Sequence, residues 1–162
     1  MDLNELMEKF AAEIGLEEFG ADADGAYRLL IDEMPVSVFP AQDDHLALVA
    51  PVGEPPPDAV AGRERIFRLL LESAHLGRGT ASAFFSVDAE TGEICLQRLE
   101  SMAALDFDGF KLLLDNFVNV LAEWRRIVAD FRPVAAKVDE EVREDEETLR
   151  SMAMGADGFM QV

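Results

Sequence analysis

Three kinds of residue in this chain could do chemistry, and each is tested by its spacing. Leu76 to Thr80 reads LGRGT, two glycines around an arginine with a hydroxyl after them, as in part of a phosphate-binding loop. Such a loop needs four residues between its glycines, then Gly-Lys-Ser/Thr, and a following helix whose N-terminus faces the phosphate. Here a helical pattern precedes the stretch and an alternating one follows it. The expected role is therefore a joint, with Gly77 closing a helix and Gly79 giving slack. Asp22-Ala23-Asp24-Gly25 resembles the start of a calcium loop. The position six past the glycine, where a glutamate ligand belongs, is Ile31, and the position two before Asp22 is Gly20. A turn is expected.

The other reactive side chains are scattered. His45 and His75 are the only histidines and Cys95 the only cysteine, and none stands at a metal-ligand spacing. Cys95 lies in an alternating run, where it reads as a small buried filler. Ser37, Ser73, Ser82, Ser86 and Ser101 fall in no GxSxG elbow. No catalytic, cofactor or metal site is expected, and the chain does not read as an enzyme.

Composition narrows the partners. The chain has 162 residues, 49% of them hydrophobic, enough for one domain with a core. It carries 33 acidic against 14 basic residues, a net charge of −19. That surface repels DNA, RNA and anionic lipid and attracts basic segments. A single cysteine leaves no disulfide within the chain, which points to a reducing cytoplasm. The opening MDLNELMEKF has acids where a signal peptide needs positive charge. No run approaches the roughly 18 apolar residues of a membrane span.

The elements that would position these residues follow from periodicity. Leu3, Leu6, Met7, Phe10 and Ile14 share one face of a helix over residues 2–14, with Asp2 and Glu5 in capping-box positions and Gly15 as the stop. Residues 26–50 alternate as a three-stranded meander with breaks at Met34-Pro35 and at Pro40 to Asp44. Pro35 and Pro40 cannot donate to a ladder, so the middle strand is expected to be short or at an edge. PVGEPPPD (51–58) reads as an extended spacer. A second helix is expected over 59–76, and a hairpin over 82–88 and 93–99. Phe107, Phe110, Leu114, Phe117, Leu121, Trp124, Val128 and Phe131 step by three and four along a third helix, capped by Asp106 and stopped by Pro133. The order α-βββ-α-ββ-α gives an α+β fold, a twisted antiparallel sheet packed with helices. Residues 133–162, with DEEVREDEE at their centre, form an acidic tail outside the domain, partly helical or disordered.

Apolar faces exceed what one chain of this length covers easily. Leu29 and Ile31 alternate with Leu30, Leu48 lies beside Val49, and Phe84 lies beside Phe85. Adjacent strand residues point to opposite faces, so at most one of these two phenylalanines faces the chain's own helices. Either one well-filled core takes up these faces, or the chain forms a homodimer that still exposes grooves for a partner chain.

The run LLLESAHLGRGTASAFFSVDAETGEICLQRLESMAALDFDGFKLLLDNFVNVLAEWRRI (69–127) resembles the class I chaperones of type III secretion, the Tir-chaperone-like family. The N-terminal half adds an amphipathic helix ending in Gly15-Leu16 and Leu-x-x-Asp from Leu29 to Asp32, so the resemblance covers residues 1–132. It implies a cytoplasmic bacterial homodimer that holds the N-terminal segment of a secreted effector in extended form, with the secretion ATPase as a further candidate partner. It places the client groove between Leu3, Leu6, Phe10 and Ile14 of the first helix and Val36, Val38, Leu46 and Leu48 of the meander. It places dimer contacts at Ile66, Phe67, Leu70, Phe84 and Phe85. The alternative is a binding module of similar fold that sequesters an activator or acts as an immunity protein.

Overall fold

The structure is a computed structural model that describes residues 2–16, 19–56 and 60–132. Three α-helices and five strands follow in the expected order. They are α1 (Leu3–Ile14), β1 (Tyr27–Ile31), β2 (Met34–Ala41), β3 (His45–Gly53), α2 (Val60–Ala74), β4 (Phe84–Val87), β5 (Ile94–Ser101) and α3 (Phe107–Asp130). All strand pairs are antiparallel, and the sheet order is β1-β2-β3-β5-β4. The fold is α+β. Residues through Phe131 pack as one unit; the tail expected at 133–162 lies outside the described residues.

Local chemistry sets the helix ends. Asp2 accepts from the Glu5 amide at 2.9 Å and Glu5 accepts from the Asp2 amide at 3.1 Å, so two otherwise orphaned donors at the start of α1 are satisfied. Gly15 takes the left-handed conformation (φ 74°) that ends it. Asp106 caps α3 through the Gly109 amide at 2.8 Å.

One face of the sheet is the core face. Tyr27 and Leu29, Val36 and Val38, Leu46 and Leu48, and Ile94 and Leu96 are all buried on it. They join the buried residues of α1 (Leu6, Met7) and the long stripe of α3 (Phe110, Leu114, Phe117, Leu121, Trp124) in one cluster. Phe10 meets Phe110 edge-on at 5.6 Å, and the Tyr27 hydroxyl donates to Asn4 at 2.7 Å, so α1 is fastened to both α3 and β1.

Two expectations about proline need correction. β2 is neither short nor at an edge: it runs eight residues between β1 and β3, with Pro35 and Pro40 second from its ends, where a missing donor costs little of the ladder. The spacer also begins later than expected. Pro51, Val52 and Gly53 belong to β3; Pro51 pairs with Cys95 and Gly53 with Ile94 of β5 across a register shift at Val52, beyond the stretch of β3 that β2 covers.

LGRGT is a joint, but a packed one. α2 stops at Ala74 and a single 3-10 turn, His75–Gly77, follows. A side chain at Gly77 would come within 2.8 Å of Ser82 Cα, and one at Gly79 within 2.8 Å of the Ser73 carbonyl oxygen. The Gly79 carbonyl also accepts from the Trp124 indole N–H at 3.0 Å. Gly79 therefore provides close approach, not the slack expected of it. Thr80 is buried and donates its hydroxyl to the Ala83 carbonyl at 2.5 Å.

Candidate functional site

An open cleft of about 560 Å³ lies where α1, α3 and the end of β1 meet. From α1 come Phe10, Glu13 and Ile14, and from β1 and its turn come Leu30, Ile31 and Asp32. The middle of α3 contributes Lys111, Leu114, Asp115, Val118 and Asn119. Ile14 is 51% exposed and Leu30 is 75% exposed. Among the described residues β1 has only β2 as a neighbour, so one row of its backbone N–H and C=O groups has no strand there to pair with. Apolar side chains beside an unpaired strand edge make a receptor for an extended peptide, which can add backbone hydrogen bonds and seat alternate side chains.

The charges at the cleft are ordered. Lys111 Nζ lies 3.1 Å from Glu13 and 3.2 Å from Asp108, and it sits 4.8 Å over the Phe107 ring. The Glu13 hydrogen bond, then that to Asp108, holds the Lys111 ammonium above its ordinary pKa. This pair clips the end of α1 to α3. Asp32 and Asp115 are exposed and make no ion pair among the described residues.

The structure distributes the expected groove residues unevenly. Leu3 and Phe10 are half-buried and Ile14 is open, and Phe10 and Ile14 line the cleft. Leu6, Val36, Val38, Leu46 and Leu48 are at most 1% exposed, sealed in the core between sheet and helices. In this arrangement they support the cleft from beneath and offer no surface. Sequence reasoning missed Leu30 and the α3 side of the cleft. Leu30 carried a signal: in Leu29-Leu30-Ile31 the middle residue must turn away from the face its neighbours bury.

The expected dimer residues divide likewise. Ile66 and Leu70 of α2 are buried in the chain's own core. Phe67 is half-buried, and Phe85 is half-buried against Trp124, with ring centroids 4.9 Å apart. Phe84, on the opposite face of β4, is 39% exposed, so adjacent phenylalanines split between the two faces as expected. Leu71, one turn on from Phe67, is 70% exposed. α2 packs on β4, so the exposed Leu71 and Phe84 belong to neighbouring elements.

The remaining candidate residues serve structure. Asp22 accepts from the amides of Asp24 and Ala26, both at 2.9 Å, and pairs with Arg28 at 2.8 Å, so it builds a turn. Those backbone hydrogen bonds, the Ala26 one foremost, lower its pKa against the opposing effect of burial. His45 Nδ1 lies 2.8 Å from the Asp43 carbonyl oxygen. Cys95 is buried, and that burial pushes its thiol pKa up. Among the described residues no group of three or more His, Cys, Asp or Glu could hold a metal ion.

The family model of the Tir chaperone proteins (CesT) matches residues 5–125, which takes in the cleft, the sheet and most of α3. The chain belongs to the Tir chaperone protein (CesT) family. Solved structures agree with this family's fold. The chain resembles one in the crystal structure of the ExsC–ExsE complex, with 29% identity, a TM-score of 0.66, and coverage of 84% of this chain and 100% of that one. It resembles one in the HopA1–SchA chaperone–effector complex at 17% identity and TM-score 0.62, covering 75% of this chain and 91% of that one. For the Yersinia pestis type III secretion chaperone SycH, in complex with a stable fragment of YscM2, the values are 18% and 0.56, with 75% and 98% covered. At the last two identities the likeness is one of fold. Among curated proteins none matches. No helix among the described residues is long and apolar enough to cross a membrane.

Proposed function

We propose that this Tir chaperone family member acts in the bacterial cytoplasm as a homodimer that holds the N-terminal segment of a type III secreted effector in extended form. The observation that carries this reading is the open apolar cleft beside the unpaired edge of β1. An extended client would add a strand to β1 and seat apolar side chains on Phe10, Ile14, Leu30 and Leu114. Holding needs no covalent chemistry and no nucleotide. The cost of ordering the client segment is offset by the area it covers. The exposed Leu71 and Phe84, with the half-buried Phe67, support a dimer built on α2 and β4, which leaves the α1–α3 cleft of each subunit open. The family resemblance also supports a contact with the secretion ATPase.

The test is co-purification from the native host with mass spectrometry of the bound chain, run beside Ile14→Asp. Wild type is expected to bring down one protein that is exported under secretion-inducing conditions, and Ile14→Asp to lose it while staying folded. Capture of the same client by Ile14→Asp would place the binding surface elsewhere. A captured chain that is never exported would move the reading to a regulator that sequesters its partner.

A further inference from the structure

The cleft carries a charge pattern that an apolar groove does not need. Three carboxylates, Glu13, Asp32 and Asp115, face one cation, Lys111. Lys111 is already engaged by Glu13 and Asp108. Asp32 and Asp115 are exposed and have no cationic partner among the described residues, although the chain has ion pairs elsewhere. Asp32 is fixed in place by its backbone. Asp32 and Glu33 both take left-handed conformations (φ 49° and 63°), as a tight two-residue hairpin between β1 and β2 demands. One carboxylate thus stands at the end of the open strand edge and the other on the facing helix, with Leu30, Ile31, Leu114 and Val118 in the same cleft.

We infer that Asp32 and Asp115 are specificity-determining residues, and that the client segment the cleft takes pairs apolar side chains with arginine or lysine. The inference rests on the proposed client-binding role and adds what that role leaves open, namely which extended segments are chosen. A peptide that seats apolar side chains on the cleft floor brings its neighbouring side chains to the rim, where these carboxylates stand. A cation there gains attraction without losing all its water, whereas an acidic residue is repelled, so the effect is one of selection more than of strength. The overall negative charge attracts any basic chain from a distance; these two side chains would read charge at contact.

The test uses the full-length chain and three fluorescein-labelled peptides that alternate leucine with arginine, glutamine or glutamate, followed by fluorescence anisotropy. Wild type is expected to bind the arginine peptide about tenfold more tightly than the glutamine peptide, the scale of two exposed ion pairs. The double variant Asp32→Asn/Asp115→Asn should lose that preference and keep its affinity for the glutamine peptide. Asparagine tolerates the left-handed backbone at position 32, so folding should be retained. A control, Asp43→Asn/Asp44→Asn, removes two carboxylates from the matching left-handed turn at the other end of β2 and should keep the preference. Equal binding of the arginine and glutamine peptides to wild type, lost in Ile14→Asp, would overturn the inference and leave the cleft standing. A preference that survives Asp32→Asn/Asp115→Asn, or that falls equally in the control, would assign it to net charge and also overturn the inference. Binding of no peptide, or binding indifferent to Ile14→Asp, would remove the cleft reading and the inference with it.

Discussion

Residues on one helix face can have opposite duties, and α1 is the clearest case. Leu6 and Ile14 fall on the same apolar stripe, yet Leu6 is 1% exposed and Ile14 is 51% exposed. Ile14→Asp adds a charge in solvent beside the cleft. It is expected to change the melting temperature little and to weaken client binding by tenfold or more, measured by titration against the co-purified client. Leu6→Asp places a charge in the core, at a cost on the order of 4 kcal/mol, and should show as loss of cooperative thermal unfolding. Gly79→Ala meets the Ser73 carbonyl oxygen, so a destabilisation of about 1–3 kcal/mol is expected from urea denaturation. A Gly79→Ala protein as stable as wild type would mean that the joint is loose after all. The stripe on α1 was legible from spacing alone. Which end of it stays open was not, because that depends on how far α3 and β1 extend beside it.

At the scale of elements, the helices and the order of strands were readable, and the sheet's limits were not. α3 repeats apolar residues by threes and fours through eight positions, and seven of them are buried along its length. β2 lies inside the sheet despite its two prolines because position within a strand and position within a sheet are different things, and Pro35 and Pro40 sit near the strand's ends. β3 ran past its alternating segment into Pro51 because β5, which is distant in sequence, supplies the partner. The expected groove failed to reach the surface for a related reason. Val36, Val38, Leu46 and Leu48 alternate as half-buried strands do, and alternation reports which face is apolar but not whether helices cover it. Trp124 joins α3 to the α2–β4 joint through Gly79 and Phe85. Trp124→Phe replaces the buried indole with a smaller ring and loses its hydrogen bond, and should cost about 2 kcal/mol or more by chemical denaturation.

For the whole molecule, apolar surface and net charge act together. Phe84 and Leu71 are large and exposed on elements that pack together, whereas a net charge of −19 favours solubility. Light scattering is expected to give twice the chain mass of 17.9 kDa for wild type, and the single chain mass for Leu71→Asp/Phe84→Asp. A wild-type mass near 17.9 kDa at micromolar concentration would contradict the dimer. The stretch after Pro133 is charged, with DEEVREDEE at its centre, and has no long apolar stripe, so removal of residues 135–162 should leave cooperative thermal unfolding intact. The family and the order of elements could be read from sequence, because they depend on pattern. The cleft could not, because it is made where three elements distant in sequence come together.

The central claim is that an extended client lies in the α1–α3 cleft along the edge of β1. Hydrogen–deuterium exchange of the full-length chain, with and without its co-purified client, tests this most directly. The account predicts that client binding slows exchange in residues 27–32 as a new strand takes up the unpaired amides of β1, and slows it also near residues 10–16 and 111–119. Protection confined to α2 and β4, with β1 exchanging as fast as in the free protein, would contradict it.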